Sequence, residues 1–237
     1  MALTAVPDDG YRSRQRQLAG DLRALILAGD IGPAQRLPST AELTRRYAVT
    51  NMTVTRALRI LKAEGLVTGH KGRSVTATGR RPATVAAGFE DGEARLLEVG
   101  ETPAPAPVAR AFGLDRAEPV VVRHQLRLLD TEPAELSWTY YPATLARGTV
   151  LAGPDPLPEG SPAALAGLGH PLRRVVDQVS VRPATVAEFL ALRLPEDIPV
   201  LRQFRVGYTD GERPVEATVM IKAGQQFEIR YEVPAPG

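Results

Sequence analysis

A chain of 237 residues, 43% hydrophobic and 24% charged, has the composition of one large globular domain or two small ones. It has no cysteine, which excludes disulfides, thiolate metal ligation and a cysteine nucleophile, and its three scattered histidines (His70, His124, His170) argue against a zinc site. The first ten residues lack the basic-then-apolar order of a signal peptide, and no apolar run approaches the roughly 18 to 20 residues of a membrane span, so a cytoplasmic protein without membrane contact is expected.

The net charge of +2 conceals a division. Residues 1–81 hold 14 Lys and Arg against 6 Asp and Glu, whereas the remainder holds 15 against 21. A basic segment joined to an acidic one argues for two domains with different partners. The basic end is either a solvated face or a surface for a polyanion, where phosphate contacts release counterions.

Tyr11 to Gly29 has Leu18, Leu22, Leu25 and Ile26 at i, i+4, i+7 and i+8, the stripe of a first helix. Arg12, Arg14 and Arg16 cluster at its start, where the helix dipole disfavours cations; phosphates or plain solvation would make that tolerable. Ser39-Thr40-Ala41-Glu42 is a capping box opening a second helix, with Leu43 and Tyr47 on its apolar edge. Ala48-Val49-Thr50 turns the chain, and Thr50 or Asn51 caps a third helix. There Val54, Ala57, Leu58 and Leu61 form one apolar side, leaving Met52, Thr55, Arg56 and Arg59 near the other. Such a face is usually just solvated. After a capped partner helix and a short turn it also suits a major-groove reader, with Asn51, Thr55 and Arg56 at base edges and Arg59 on a phosphate. Gly65 ends the helix. Leu66-Val67-Thr68 and Ser74-Val75-Thr76 then read as strands around a basic turn of His70, Lys71, Gly72 and Arg73.

Residues 15–76 resemble the winged helix-turn-helix of the GntR superfamily of bacterial transcription regulators. The matching stretches are Leu22-Arg23-Ala24-Leu25-Ile26, Arg36-Leu37-Pro38-Ser39, Glu42-Leu43, Thr53-Val54 and Ala57 to Val67. The resemblance implies DNA binding through Arg12, through Ser39, Thr40 and Ala41, through Thr50, Asn51, Thr53, Thr55, Arg56 and Arg59, and through the wing residues His70 to Arg73. The sequence departs from the family at Ala41, Asn51 and Thr55, where Arg is common, and in its wing, Gly72-Arg73-Ser74-Val75. An asparagine at 51 favours adenine over guanine if it pairs through both amide atoms.

Gly79 to about Ala94 is a candidate linker between domains of residues 1–78 and 96–237, with a strand at Thr84 to Phe89 as the alternative. Beyond it, Pro107 to Gly113, Ser161 to Leu168 and Thr185 to Leu192 read as short helices. Pro119 to Leu129 with Ala134 to Tyr141, and Pro199 to Tyr208 with Pro214 to Ile221, read as hairpins, with further strands at Arg173 to Arg182 and Phe227 to Val233. Glu118-Pro119-Val120 and Ile198-Pro199-Val200 mark two similar halves, each a short helix followed by a hairpin. The pattern predicts an α+β domain, an antiparallel sheet with helices on one face.

No nucleophile triad, phosphate loop or paired carboxylate emerges, so no catalytic residue, metal or cofactor is expected; Glu132 and Glu135 read as solvated residues flanking a turn. This half resembles the UTRA effector-binding domain of HutC-type GntR regulators, through Glu118-Pro119-Val120, Thr139-Tyr140-Tyr141-Pro142, Val179-Ser180-Val181-Arg182 and Arg213-Pro214-Val215-Glu216. The resemblance implies a chorismate-lyase-like fold and an effector site of Arg123, Arg127, Ser137, Tyr140, Arg182 and Glu216 for a small anion. Together these readings point to a homodimeric repressor of a palindromic double-stranded operator, modulated by a small-molecule effector. A regulator whose second half only dimerises is the alternative; a chorismate-lyase-like enzyme lacks its acid/base set.

Overall fold

The structure is a computed structural model and describes residues 13–69, 74–79, 83–86, 94–115, 118–129, 131–195 and 197–231. Contacts divide the chain into two units, Met1–Pro82 and Ala83–Gly237.

In the first unit α1 (Arg14–Ala28) buries Leu18, Ala19, Leu22 and Ile26. It stops where Gly29 turns to φ 85°, a left-handed conformation that costs glycine little. The second helix, α2 (Thr40–Tyr47), starts with the full capping box: the Glu42 N–H donates to Ser39 Oγ and the Ser39 N–H donates back to Glu42 Oε2 at 2.7 Å. Helix α3 (Asn51–Ala63) is capped by Thr50, whose hydroxyl accepts from the Thr53 N–H, and buries Val54, Ala57 and Leu61. These side chains close on Leu37, Leu43, Leu66 and Val67 in one core. Behind it, Arg23 of α1 and Glu64 at the end of α3 form a two-point ion pair, Nε to Oε2 at 2.7 Å, with both side chains nearly buried. The wing strands are β1 (Val67–Thr68) and β2 (Thr76–Ala77), paired antiparallel, and Arg36 adds a third bridge to Thr76.

The second unit is built on six antiparallel strands: β4 (Ala94–Pro103), β5 (Pro119–Leu129), β6 (Glu132–Pro142), β7 (Arg174–Arg182), β8 (Val200–Tyr208) and β9 (Pro214–Ala223), in the order β4-β5-β6-β9-β8-β7. Helix α4 (Ala106–Phe112) lies between β4 and β5 in sequence, and α7 (Val186–Ala191), with a Thr185/Glu188 capping box, between β7 and β8. The two halves foreseen from the Pro-Val repeats are therefore β4-α4-β5-β6 and β7-α7-β8-β9, joined where β6 pairs with β9.

Helices occupy both faces of the sheet rather than the one expected. On one face Val108 and Ala109 of α4 meet Val120, Tyr140, Phe204 and Ala217, while Leu192 and Leu194, after α7, meet Leu136, Val200 and Ile221. On the other, Leu165 of α6 (Gly160–Gly167) packs with Val121, Tyr141, Leu151 and Val215. The reason is local: Val120-Val121 and Tyr140-Tyr141 place an apolar or aromatic side chain on each face at the same end of the sheet, and each needs cover. A short helix, α5 (Ala143–Ala146), follows β6 directly.

The segment expected as a linker holds β3 (Ala83–Ala86), which pairs in parallel with β10 (Phe227–Arg230), away from the main sheet. This meets the alternative reading, a strand at Thr84 to Phe89, over Thr84 to Ala86; residues 87–89 lie outside the described residues. The ten-residue β4 was not foreseen; it is an edge strand with no buried residue and carries Gly100 in place of a packing side chain.

Candidate nucleic-acid interface and small-molecule cavity

The outward face of α3 follows from its burial. Because Val54, Ala57 and Leu61 turn inward, Asn51, Met52, Thr55, Arg56 and Arg59 are exposed. Asn51 is oriented from α2: Thr44 Oγ1 donates to Asn51 Oδ1 at 2.9 Å. Thr55 spends its hydroxyl on the helix, donating to the Asn51 carbonyl at 2.9 Å, so its methyl group is what it offers outward. Ser39, Thr40 and Ala41 are exposed at the start of α2, where Ser39 donates from Oγ to Glu42 Oε2; this hydroxyl bond holds the Glu42 carboxyl below its ordinary range. At the start of α3, Thr50 and Thr53 share a hydroxyl contact of 3.0 Å. Arg12 and the wing residues His70, Lys71, Gly72 and Arg73 lie outside the described residues.

In the second unit a cavity of about 710 Å³ lies on the sheet face that α6 partly covers. Its floor is polar. Register places Arg123, Thr139, Thr218 and Arg205 in one row across β5, β6, β9 and β8; Gln125, Ser137 and Met220 in the next; and Arg127, Glu135 and Lys222 in a third. Leu157 to Ala163, which leads into α6, forms the opposite wall.

Buried charge is expensive unless paired, and most of it here is paired. Arg205 binds Asp177 of β7 through two hydrogen bonds of 2.9 Å. Lys222 donates to Glu135, and Arg127 Nε lies 3.8 Å from the same carboxylate. Arg123, 1% exposed, donates instead to backbone carbonyls, with 2.6 Å bonds to Gly153 and Asp155 and 3.2 Å to Leu151. It thus ties down the segment that carries the cavity's wall, yet its charge meets dipoles rather than a carboxylate in these bonds, and its buried Nε has no hydrogen-bond partner. Glu216 is 3% exposed and its Oε2 likewise lacks a partner. Burial raises its pKa, against the opposing pull of hydrogen bonds with Ser161 and Tyr141 and of the Arg205 charge. Tyr141 is pushed well up for the same first reason, burial, and then by Glu216. A cation and a carboxyl group therefore face one cavity with an unmet hydrogen-bonding atom each.

The sequence pattern of the gntR family of bacterial regulatory proteins matches residues 14–76, and that of the UTRA domain matches residues 90–228, more than half of the chain. The chain belongs to the GntR family and carries a UTRA domain. An uncharacterized HTH-type transcriptional regulator of Streptomyces coelicolor is 25% identical over 93% of each chain. An HTH-type transcriptional regulator of Mycobacterium tuberculosis is 24% identical over 92% of this chain and 85% of its own. Among solved structures, PhnF from Mycobacterium smegmatis shares the fold, with a TM-score of 0.60 at 20% identity over 92% of this chain and all of that one. This GntR-UTRA protein is thus a DNA-binding transcription regulator with a ligand-binding C-terminal domain, and not an enzyme.

The cavity of the GntR-UTRA chain gathers four of the six residues singled out for the effector: Arg123, Arg127, Ser137 and Glu216. Two lie elsewhere. Tyr140 points to the opposite face and packs beneath α4, since alternation along β6 gives the cavity to Tyr141. Arg182 ends β7 on that same opposite face and binds Glu188 of the α7 capping box at 2.7 and 2.6 Å, so it is an anchor for α7. Glu135, read as solvated, is 1% exposed and paired. Sequence reasoning missed Arg205, Gln125, Thr139 and Thr218. Their polar identity at alternate positions of β-rich segments was the available signal, and it is the same one that usually marks a solvent face.

Proposed function

We propose that the chain is a cytoplasmic homodimeric repressor in which each N-terminal unit, residues 1–78, reads one half-site of a palindrome. Asn51 and Arg56 meet base edges, Thr55 presents its methyl group, Arg59 meets a phosphate, and Lys71 and Arg73 follow the backbone. The exposed polar face of α3 opposite its buried stripe carries this reading. Selection of bound sequences from random duplexes tests it: a site with dyad symmetry is expected, and binding without preference over bulk DNA at moderate salt refutes it. Arg56→Ala relaxes the choice of base at one position, costing about 1 to 3 kcal/mol there; Lys71→Ala weakens all sequences alike and lowers the salt slope by about one.

The effector is a small anion held in the cavity of the C-terminal domain. The buried Arg123 and Glu216, each with an unpartnered atom at one cavity, support this. Thermal shift against small carboxylates and sugar phosphates is the assay; a ligand at 100 times its dissociation constant adds about 2.7 kcal/mol. Dimer formation is supported by exposed apolar side chains on the edge strand β7 and on α7, where Val181 and then Val186 and Leu190 are each about two-thirds exposed or more. Leu190→Asp is expected to shift the sedimentation of the protein toward monomer.

A further inference from the structure

We propose that Lys222 is the positioning residue through which occupancy of the cavity is felt at the strand pair that follows the DNA-binding unit. The inference rests on the cavity being the effector site. It concerns how that site is heard elsewhere.

Lys222 is fully buried, at 0% exposure. Its ammonium group donates to Glu135, which lines the cavity's floor, and lies 4.9 Å from the centre of the Phe227 ring. Glu135 is shared, with Arg127 Nε at 3.8 Å. Phe227, itself buried, is the first residue of β10, and its register partner is Ala83. Ala83 is the first residue of the C-terminal unit, next in sequence to Pro82, where the N-terminal unit ends. One cationic side chain thus touches the cavity's floor on one side and, on the other, the residue that begins the ladder holding the chain between the units.

The turn between Lys222 and Phe227 is held in place. The Gly224 N–H donates to the Pro199 carbonyl and the Gln226 N–H donates to the Ala223 carbonyl, at 3.2 and 2.8 Å. A Cβ on Gly224 would lie 2.4 Å from that Pro199 oxygen, so the chain must pass here as glycine. With the turn fixed, a change at Lys222 reaches Phe227 through the ring contact.

Two properties make this contact suitable for transmission. A cation is drawn to an aromatic face most strongly where water is absent, and here the ammonium is shared between ring and carboxylate. The β3–β10 pair has two strands of four residues each and stands apart from the six-stranded sheet. Pairs of that size are marginal by themselves, so this ladder is the element able to exist paired or released. An anion that binds Arg127 beside Glu135 repels that carboxylate and shifts it away from the cavity. The ammonium, already in close contact with Glu135, follows that carboxylate off the ring, and the ladder loosens. The tether of the DNA-binding unit then lengthens by the residues of β3, which lowers the effective concentration of one half-site reader for its half-site.

The test uses the full-length protein with citrate and glycerol 3-phosphate as anionic probes. Thermal shift reads binding, and hydrogen–deuterium exchange reads the amides of 83–86 and 227–230. In the wild-type protein a bound probe is expected to speed ladder exchange about five- to 150-fold, the usual span of coupling between sites. In Lys222→Met the probe still raises Tm but ladder exchange no longer responds, a separation that a merely structural role would not produce; Lys222→Arg keeps the response. Phe227→Leu, which removes the ring without touching the cavity's floor, gives the same loss and serves if Lys222→Met does not fold. A response in Lys222→Met equal to that of the wild type overturns the proposal. So does a wild-type Tm shift without a change in ladder exchange. If neither probe shifts the wild-type Tm, the reading of the cavity as an anionic effector site falls, and this inference falls with it.

Discussion

Ile221 and Lys222 are neighbours on β9, both almost fully buried, and they serve opposite faces of one sheet. Ile221 packs with Leu136, Leu192 and Val200 in an apolar cluster. Lys222 belongs to a face where Arg123, Glu135, Ser137, Thr139, Gln203, Arg205, Glu216 and Thr218 are also buried. The apolar face follows the ordinary logic of folding, in which each hidden methylene contributes about 0.8 kcal/mol. The polar face does not. Its ion pairs are worth little against the apolar side chains that could replace them, and Glu216 and Arg123 each keep an unmet atom. Burial alone does not account for a face that is polar and incompletely satisfied, and this is the observation behind the effector site proposed above.

That contrast can be broken at several points, beginning with the largest effect. Lys222→Ala leaves the Glu135 carboxylate short of a buried partner and is expected to cost about 3 to 5 kcal/mol in urea unfolding, whereas Lys222→Met combined with Glu135→Leu restores wild-type stability. Equal losses in the single and double variants would mean that the pair matters for packing and not for charge. Ile221→Ala across the same strand costs about 2 to 5 kcal/mol through its cavity, with no comparable rescue by a partner substitution.

Glu216 sharpens the comparison through pH. Burial raises its folded pKa above the ordinary 4.5, so above that value the native protein keeps a proton that the unfolded chain gives up. Stability attributable to this group is full below pH 4.5 and falls as pH rises through the folded pKa, with a limiting slope of about 1.4 kcal/mol per pH unit. Glu216→Gln removes this slope and is more stable than the wild type at neutral pH; urea midpoints between pH 4 and 8 measure it. An unchanged slope would show that the carboxyl is ionised in the native cavity. The smallest effect belongs to Arg182, on the apolar side: its partly exposed pair with Glu188 is worth below about 1 kcal/mol, and Arg182→Ala leaves probe affinity unchanged. A weakened probe would return Arg182 to the effector site.

How much of this was legible in the sequence differs between the units. The capping box at Ser39, the glycine stop at Gly29 and the apolar side of α3 are local signals, set by residues three or four apart, and the structure reproduces each. The hairpins and the two similar halves were legible from Pro-Val starts and turn residues for the same reason. What alternation cannot reveal is which face of a strand lies against water and which against a cavity. Tyr140 and Tyr141 differ by one position and therefore by a whole face, and only the packing of α4 and α6 decides between them. Arg182 was misplaced in the same manner, its partner being set by a helix cap six residues on. Strand β3 was legible only as the alternative to a linker, being too short to carry a period, and β4 escaped because none of its residues is buried.

The seam at β6 and β9 has one last consequence. The halves β4-α4-β5-β6 and β7-α7-β8-β9 share a plan and meet only there within the sheet, so the domain has the layout of a unit duplicated and fused. Arg123, Ser137 and Thr139 come from the first copy, and Arg205, Glu216 and Thr218 from the second. The cavity therefore spans the fusion. The two halves are also held together by the β6–β9 ladder and by the apolar packing of Val108, Val120 and Tyr140 with Phe204 and Ala217, so the cavity is fixed by the same seam that fixes the sheet.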